Sequence, residues 1–151
     1  MEQLNHLVSE IYVGYKSEVK ASDRPTLTSS KGTAELFRSL FDDDTLEFQE
    51  QFLVLFLNRN NSVVGYYPMS KGGMTGVVAD PRLILAAALK VPCCAMVLAH
   101  NHPSGSLKPS RADEEITGKI KQAGLLLDIR VLDHIILTRD GYFSFADEGI
   151  I

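Results

Sequence analysis

The chain has 151 residues, 45% of them hydrophobic and 23% charged, with a formal charge of −4. That length carries one core without disulfide staples, and the composition excludes disorder. The acidic balance weighs against a generic duplex-DNA coat, which needs Lys and Arg to neutralise phosphates.

In chain order, Met1–Tyr12 has an early acid and no apolar h-region, so no signal peptide is expected. A short helix-like segment is followed by Ile11, Val13 and Tyr15, whose alternation predicts a strand. Ala21–Ser30, rich in Ser, Thr, Asp and Pro, reads as a loop. Ser29 or Ser30 caps a helix to about Phe41, with Leu36, Phe37, Leu40 and Phe41 on one face. The FLVLFL run Phe52–Leu57 predicts a strand buried on both faces, and the NRNNS turn Asn58–Ser62 returns it as Val63–Met69. Lys71-Gly72-Gly73 opens a loop, and Ser70–Gly76 is a candidate lip of a cleft. Pro81 starts a helix to Leu89 with Leu83, Ile84, Ala87 and Ala88 as its apolar stripe.

Cys93 and Cys94 are adjacent, so they build neither a disulfide framework nor a CxxC zinc knuckle; they read as buried free thiols suited to a reducing cytoplasm. Cys94–Ala99 is a further buried strand, Ser110–Leu126 a long helix ending near Gly124, and Arg130–Thr138 a strand built around Val131, His134 and Ile136. Asp140-Gly141 turns the chain into a last strand, Tyr142–Phe145. The longest apolar runs, Leu83–Leu89 and Cys93–Ala99, fall far short of the roughly 20 residues a membrane helix needs. Interleaved hairpins and crossovers predict an α/β fold, a mixed β-sheet flanked by helices.

The chemistry concentrates in His100-Asn101-His102-Pro103-Ser104-Gly105 and its continuation to Ser110 and Asp113. In extended chain His100 and His102 project to one side and Asn101 to the other. Pro103 stops the strand, and Gly105 permits a sharp turn into the next helix. Asp113 lies in that helix's first turn, where a carboxylate is favoured, and Ser110-x-x-Asp113 also has capping-box spacing. Two imidazoles and one carboxylate can converge on one cation. Three mixed N and O ligands leave a fourth tetrahedral position open, the mark of a catalytic zinc site.

The pattern His100-x-His102, seven residues, Ser110, two residues, Asp113 resembles the JAMM (MPN-plus, JAB) metalloprotease motif. The wording AHNHPSGSLKPSRAD, with LLDIRVLDHIIL and GYFSFADEG downstream, is similar to the RadC-like branch of that family from about Asp44 onward. The resemblance implies a cytidine-deaminase-like JAMM fold over residues 44–151, with residues 1–43 an N-terminal extension of strand, loop and helix. It implies Zn2+ held by His100, His102 and Asp113, with Ser110 stabilising the oxyanion. It also implies an upstream glutamate as general base: Glu50, just ahead of Phe52, with Glu47 as runner-up. The implied activity is hydrolysis of a peptide or isopeptide bond in a peptide or protein substrate. The family's other association, DNA repair, implies nucleic acid as an alternative partner. Longer members carry a helix-hairpin-helix module, for which the short, non-basic segment before Asp44 leaves no room. The contiguous HNH is not the dispersed HNH-nuclease motif, and the H-x-E and distant P-C-x-x-C of zinc deaminases are absent.

His134, alone in an apolar strand, reads as a core residue, with Asp133-His134 also placed to orient a ligand imidazole. His6 reads as exposed. Lys108, Arg111, Lys119 and Lys121 could meet an acidic partner, although Asp113, Glu114 and Glu115 among them suit an ordinary solvated helix face. The oligomeric state stays open.

Overall fold

The computed structural model describes residues 7–151 apart from Thr75 and Val77. The reading of His6 therefore lies outside the described residues. Among the described residues, three α-helices and five strands follow in order: α1 Ser30–Leu40, β1 Gln51–Leu57, β2 Val63–Lys71, α2 Pro81–Ala88, β3 Ala95–Asn101, α3 Arg111–Leu125, β4 Arg130–Leu137 and β5 Tyr142–Ser144. The sheet order is β2-β1-β3-β4-β5. β3 and β4 pair in parallel through the α3 crossover, and the other neighbours are antiparallel. This is the mixed α/β sheet expected.

Every residue of β1 and β3 is buried, as continuous apolar runs at the centre of a covered sheet require. Alternation divides them between two cores. Leu53, Leu55, Leu57, Val97 and Ala99 pack under α1 with Phe37 and Phe41. Phe52, Val54, Phe56, Met96 and Leu98 pack under α2 and α3 with Ile84 and Ile120. Ser29, rather than Ser30, caps α1: its side chain accepts the Gly32 N–H.

One irregularity decides what β4 shows to each core. Met96 pairs with Val131 but Val97 pairs with Asp133, so Leu132 is an extra residue. The bulge re-phases the strand. Val131 packs on the α2/α3 side, whereas Ile135 and Leu137 pack on the α1 side. His134 thereby turns to the face that carries His100. This is why Val131, His134 and Ile136 stand out in sequence although their spacing is not strictly even.

The strand expected at Ile11–Tyr15 does not form. Ile11, Tyr12 and Val13 are 86%, 90% and 86% exposed. Their backbone pairs with no strand, so alternation had no face to bury. The Tyr15 hydroxyl does reach the Val64 carbonyl, and Pro25 and Leu27 bond the turn between β1 and β2. Cys93 and Cys94 are free, as expected, but half-buried rather than buried. Burial still pushes the Cys93 thiol up. Among the described residues, no helix is long and apolar enough to cross a membrane.

Candidate metal centre

β3 runs two residues further than its apolar stretch, so His100 lies within the sheet, between Phe52 of β1 and Ile136 of β4. It is 1% exposed. His102 stands one residue beyond the strand, and its N–H still bonds the Leu137 carbonyl at 2.9 Å. Asn101 between them points to the α1 side. The chain turns at Gly105, whose φ of +84° suits glycine, and enters α3 through a capping box. Ser110 Oγ accepts the Asp113 N–H at 3.0 Å, and Asp113 Oδ2 accepts the Ser110 N–H at 2.7 Å. The two readings of Ser110-x-x-Asp113 therefore coexist: the cap holds the carboxylate that faces the histidines.

The three side chains meet. His100 Nε2 lies 2.9 Å from His102 Nε2 and 3.3 Å from Asp113 Oδ1, and His102 Nε2 lies 3.4 Å from Asp113 Oδ2. A tetrahedral ion with bonds of about 2.0–2.1 Å has ligand-to-ligand edges of about 3.3 Å. The donor chemistry agrees. His102 Nδ1 is 2.7 Å from the Ser106 carbonyl, which can only accept, so Nδ1 carries the hydrogen and Nε2 of the neutral ring presents its lone pair. The carboxylate offers only acceptors. Acceptors facing each other this closely share a proton or a cation, and His100, His102 and Asp113 form a group able to hold a metal ion. Donors of this type suit zinc.

Charge is organised accordingly. Burial raises the Asp113 carboxyl, but His100, His102 and the Ser110 N–H outweigh it and hold it well below the usual carboxylate range. Asp113 in turn pushes His102 up against its own burial, with the Ser106 carbonyl and the Glu50 charge adding to the rise. Glu50 is half-buried directly ahead of β1, its backbone bonded to Gly72 and Gly73. Glu47 is exposed and paired with Arg139 at 3.0 Å. The Ser70–Gly76 stretch is partly strand: β2 includes Ser70 and Lys71, Ser70 Oγ donates to the Val78 carbonyl, and Thr75 lies outside the described residues. A cavity of about 300 Å³ adjoins the cluster, with Phe52, Ala79, Ala112 and Ile116 beside His100 and Asp113. Arg111 pairs with Glu115 on the exposed face of α3, in keeping with a solvated surface.

His134 meets both of its sequence readings, with one correction. It is fully buried, stacked on Phe145 at 4.7 Å, and its Nε2 lies 2.8 Å from His100 Nδ1. Asp133 does not hold its ring. That carboxylate accepts from Ser144 Oγ, the Ala146 N–H and the backbone N–H of His134. The ring is held by Thr117, 2.6 Å from Nδ1, a residue the sequence reading missed. Its signal was a threonine one helical turn after Asp113, on the same face of α3.

A five-stranded mixed sheet with two histidines at a strand end, facing an aspartate in the next helix, defines an α/β domain with a three-residue group able to hold a metal ion. The chain belongs to the RadC-like JAB domain family, whose model matches residues 27–150. That match begins ahead of Asp44 and takes in α1. Relatives described as UPF0758 proteins include one from Flavobacterium johnsoniae, 44% identical over 82% of this chain and 53% of the relative. Others come from Leptothrix cholodnii, at 44% over 68% of this chain and 46% of the relative, and Porphyromonas gingivalis, at 43% over the same shares. The chain spans about half the length of these curated relatives.

Proposed function

We propose that this domain is a zinc-dependent metallohydrolase that cleaves a peptide or isopeptide bond. The observation that carries the reading is the convergence of His100 Nε2, His102 Nε2 and the Asp113 carboxylate at tetrahedral spacing. When bound, zinc brings the pKa of water to about 7 and polarises a carbonyl. Glu50 is the general base: its charge acts on His102, whereas Glu47 is engaged by Arg139. It takes the proton of the attacking water and returns it to the leaving amine. Ser110 accepts the Asp113 N–H through Oγ and so keeps its hydroxyl hydrogen for the developing oxyanion.

The test combines metal analysis with a peptide and isopeptide library screened with and without chelator. Wild type is expected to hold about one zinc per chain and to lose hydrolysis on chelation. His100→Ala and Asp113→Ala should lose the metal, while Glu50→Gln should keep it and lose at least about 100-fold in rate. Undiminished zinc in both ligand variants would overturn the ligand assignment, and full activity in Glu50→Gln would overturn the base. The alternative, action on DNA, predicts binding to branched or duplex DNA that weakens steeply with salt. Such binding without chelator-sensitive hydrolysis would replace the peptidase reading.

A further inference from the structure

Behind the three ligands runs a second, largely buried chain of hydrogen bonds. His100 Nδ1 lies 2.8 Å from His134 Nε2, His134 Nδ1 lies 2.6 Å from Thr117 Oγ1, and Thr117 Oγ1 lies 2.6 Å from the Asp113 carbonyl. His100, His134 and Thr117 are 1%, 0% and 3% exposed. Phe52 stacks on His100 and meets His134 edge-on, and Phe145 stacks on His134. No water-filled surface is at hand to repair a wrong hydrogen, so every polar atom must be matched by its neighbour.

The direction of this chain follows from its last member. A backbone carbonyl only accepts, so the single hydroxyl hydrogen of Thr117 goes to Asp113. Thr117 Oγ1 must then accept from His134, which places the His134 hydrogen on Nδ1. The buried neutral ring is left with a bare Nε2, and that atom accepts the hydrogen on His100 Nδ1. His100 Nε2 is consequently bare and faces His102 and Asp113. One threonine hydroxyl thus sets, two hydrogen bonds away, which nitrogen of His100 is free to bind an ion.

We propose that Thr117 and His134 are positioning residues that lock the tautomer of His100 and tie it to Asp113. The proposal rests on the metal-centre reading above and requires nothing of the substrate. The circuit is closed: His100 and Asp113 face each other across the candidate site at 3.3 Å, and behind it they are joined through β4 and α3. Neither ligand can rotate or withdraw without breaking a buried bond. The bulge in β4 is what brings His134 onto this face, so the irregular register serves the site.

The test separates the Thr117 hydroxyl from its shape. Thr117→Val keeps the volume and removes the oxygen, whereas Thr117→Ser keeps the oxygen and removes a methyl. Zinc affinity is read by chelator competition, folding by thermal melting, and the His134 tautomer by ¹⁵N–¹H correlation of the imidazole. Thr117→Val is expected to weaken zinc by roughly 10- to 100-fold and to release His134 from its pure Nδ1–H form. Thr117→Ser should match wild type in both. A merely structural Thr117 would reverse this order, with the cavity-forming serine the worse variant. Wild-type-like zinc affinity in Thr117→Val would overturn the lock. So would an Nε2–H tautomer of His134 in the unmutated, metal-free protein, a measurement that stands even if Thr117→Val fails to fold. A wild type that takes up no zinc while His134 shows Nδ1–H would overturn the metal centre and keep the circuit. Absent hydrolysis with intact zinc affinity would overturn only the peptidase reading.

Discussion

Asn101 separates the two histidines and has its own task. It is 0% exposed. Its Nδ2 donates to the Leu46 carbonyl at 2.7 Å and the Gln49 carbonyl at 3.0 Å, and its Oδ1 accepts the Gln51 N–H at 2.6 Å. Those bonds tie the segment that bears Glu50 to the ligand-bearing end of β3. Asn101→Ala would strand two carbonyls and one N–H in a dry site, where each orphan costs about 1–3 kcal/mol. The expected loss is about 3 kcal/mol or more by urea denaturation. Because Glu50 sits between Gln49 and Gln51, hydrolysis should fall further than zinc affinity does. A variant as stable as wild type would show the amide to be dispensable. At this scale the convergence of His100, His102 and Asp113 was legible, since period-two projection and the capping spacing are local properties of the chain. The bonds of Asn101, Thr117 and His134 were not, because each joins residues brought together only by the sheet.

At the scale of elements, apolar periodicity located every strand of the sheet and all three helices to within a few residues. It failed at Ile11–Tyr15, where alternation was present but no partner strand was. It also could not expose the β4 bulge, which is a property of the pairing with β3 rather than of β4 itself. The end of α3 shows how tightly one element is fixed to the next. A Cβ on Gly124 would sit 2.3 Å from the Ile129 carbonyl oxygen and 3.1 Å from Met96 Cε. The Ile129 N–H also bonds the Gly124 carbonyl at 2.9 Å, closing the turn into β4. Alanine has the higher helix propensity, worth up to about 1 kcal/mol, but backbone cannot yield as a flexible side chain can. Gly124→Ala should therefore destabilise by about 1–3 kcal/mol, as overpacked sites do. A raised melting temperature would show that α3 has room to slide.

At the scale of the molecule, the sheet divides the chain into two cores with different duties. The candidate metal centre lies on the α2/α3 side, where His100 shares its face with Phe52 and Leu98. The α1 side holds Phe37, Phe41 and Leu46 against the opposite surface of the same strands. Phe37 is 0% exposed and makes an edge contact with Phe41 at 6.4 Å between ring centres. Removing its ring should cost about 3–5 kcal/mol, a large part of the roughly 5–15 kcal/mol that holds a domain folded. The same apolar character at Ile11 and Val13 should count for little, because both are 86% exposed. Ile11→Ser and Val13→Ser are each expected to stay within about 0.5 kcal/mol of wild type. The comparison is made by denaturant unfolding, with zinc affinity measured on the folded fraction. Phe37→Ala should lower the unfolding midpoint and leave that affinity close to wild type, since its cavity opens across the sheet from the ligands. Loss of zinc binding in folded Phe37→Ala would mean that the two cores are coupled through β1 and β3.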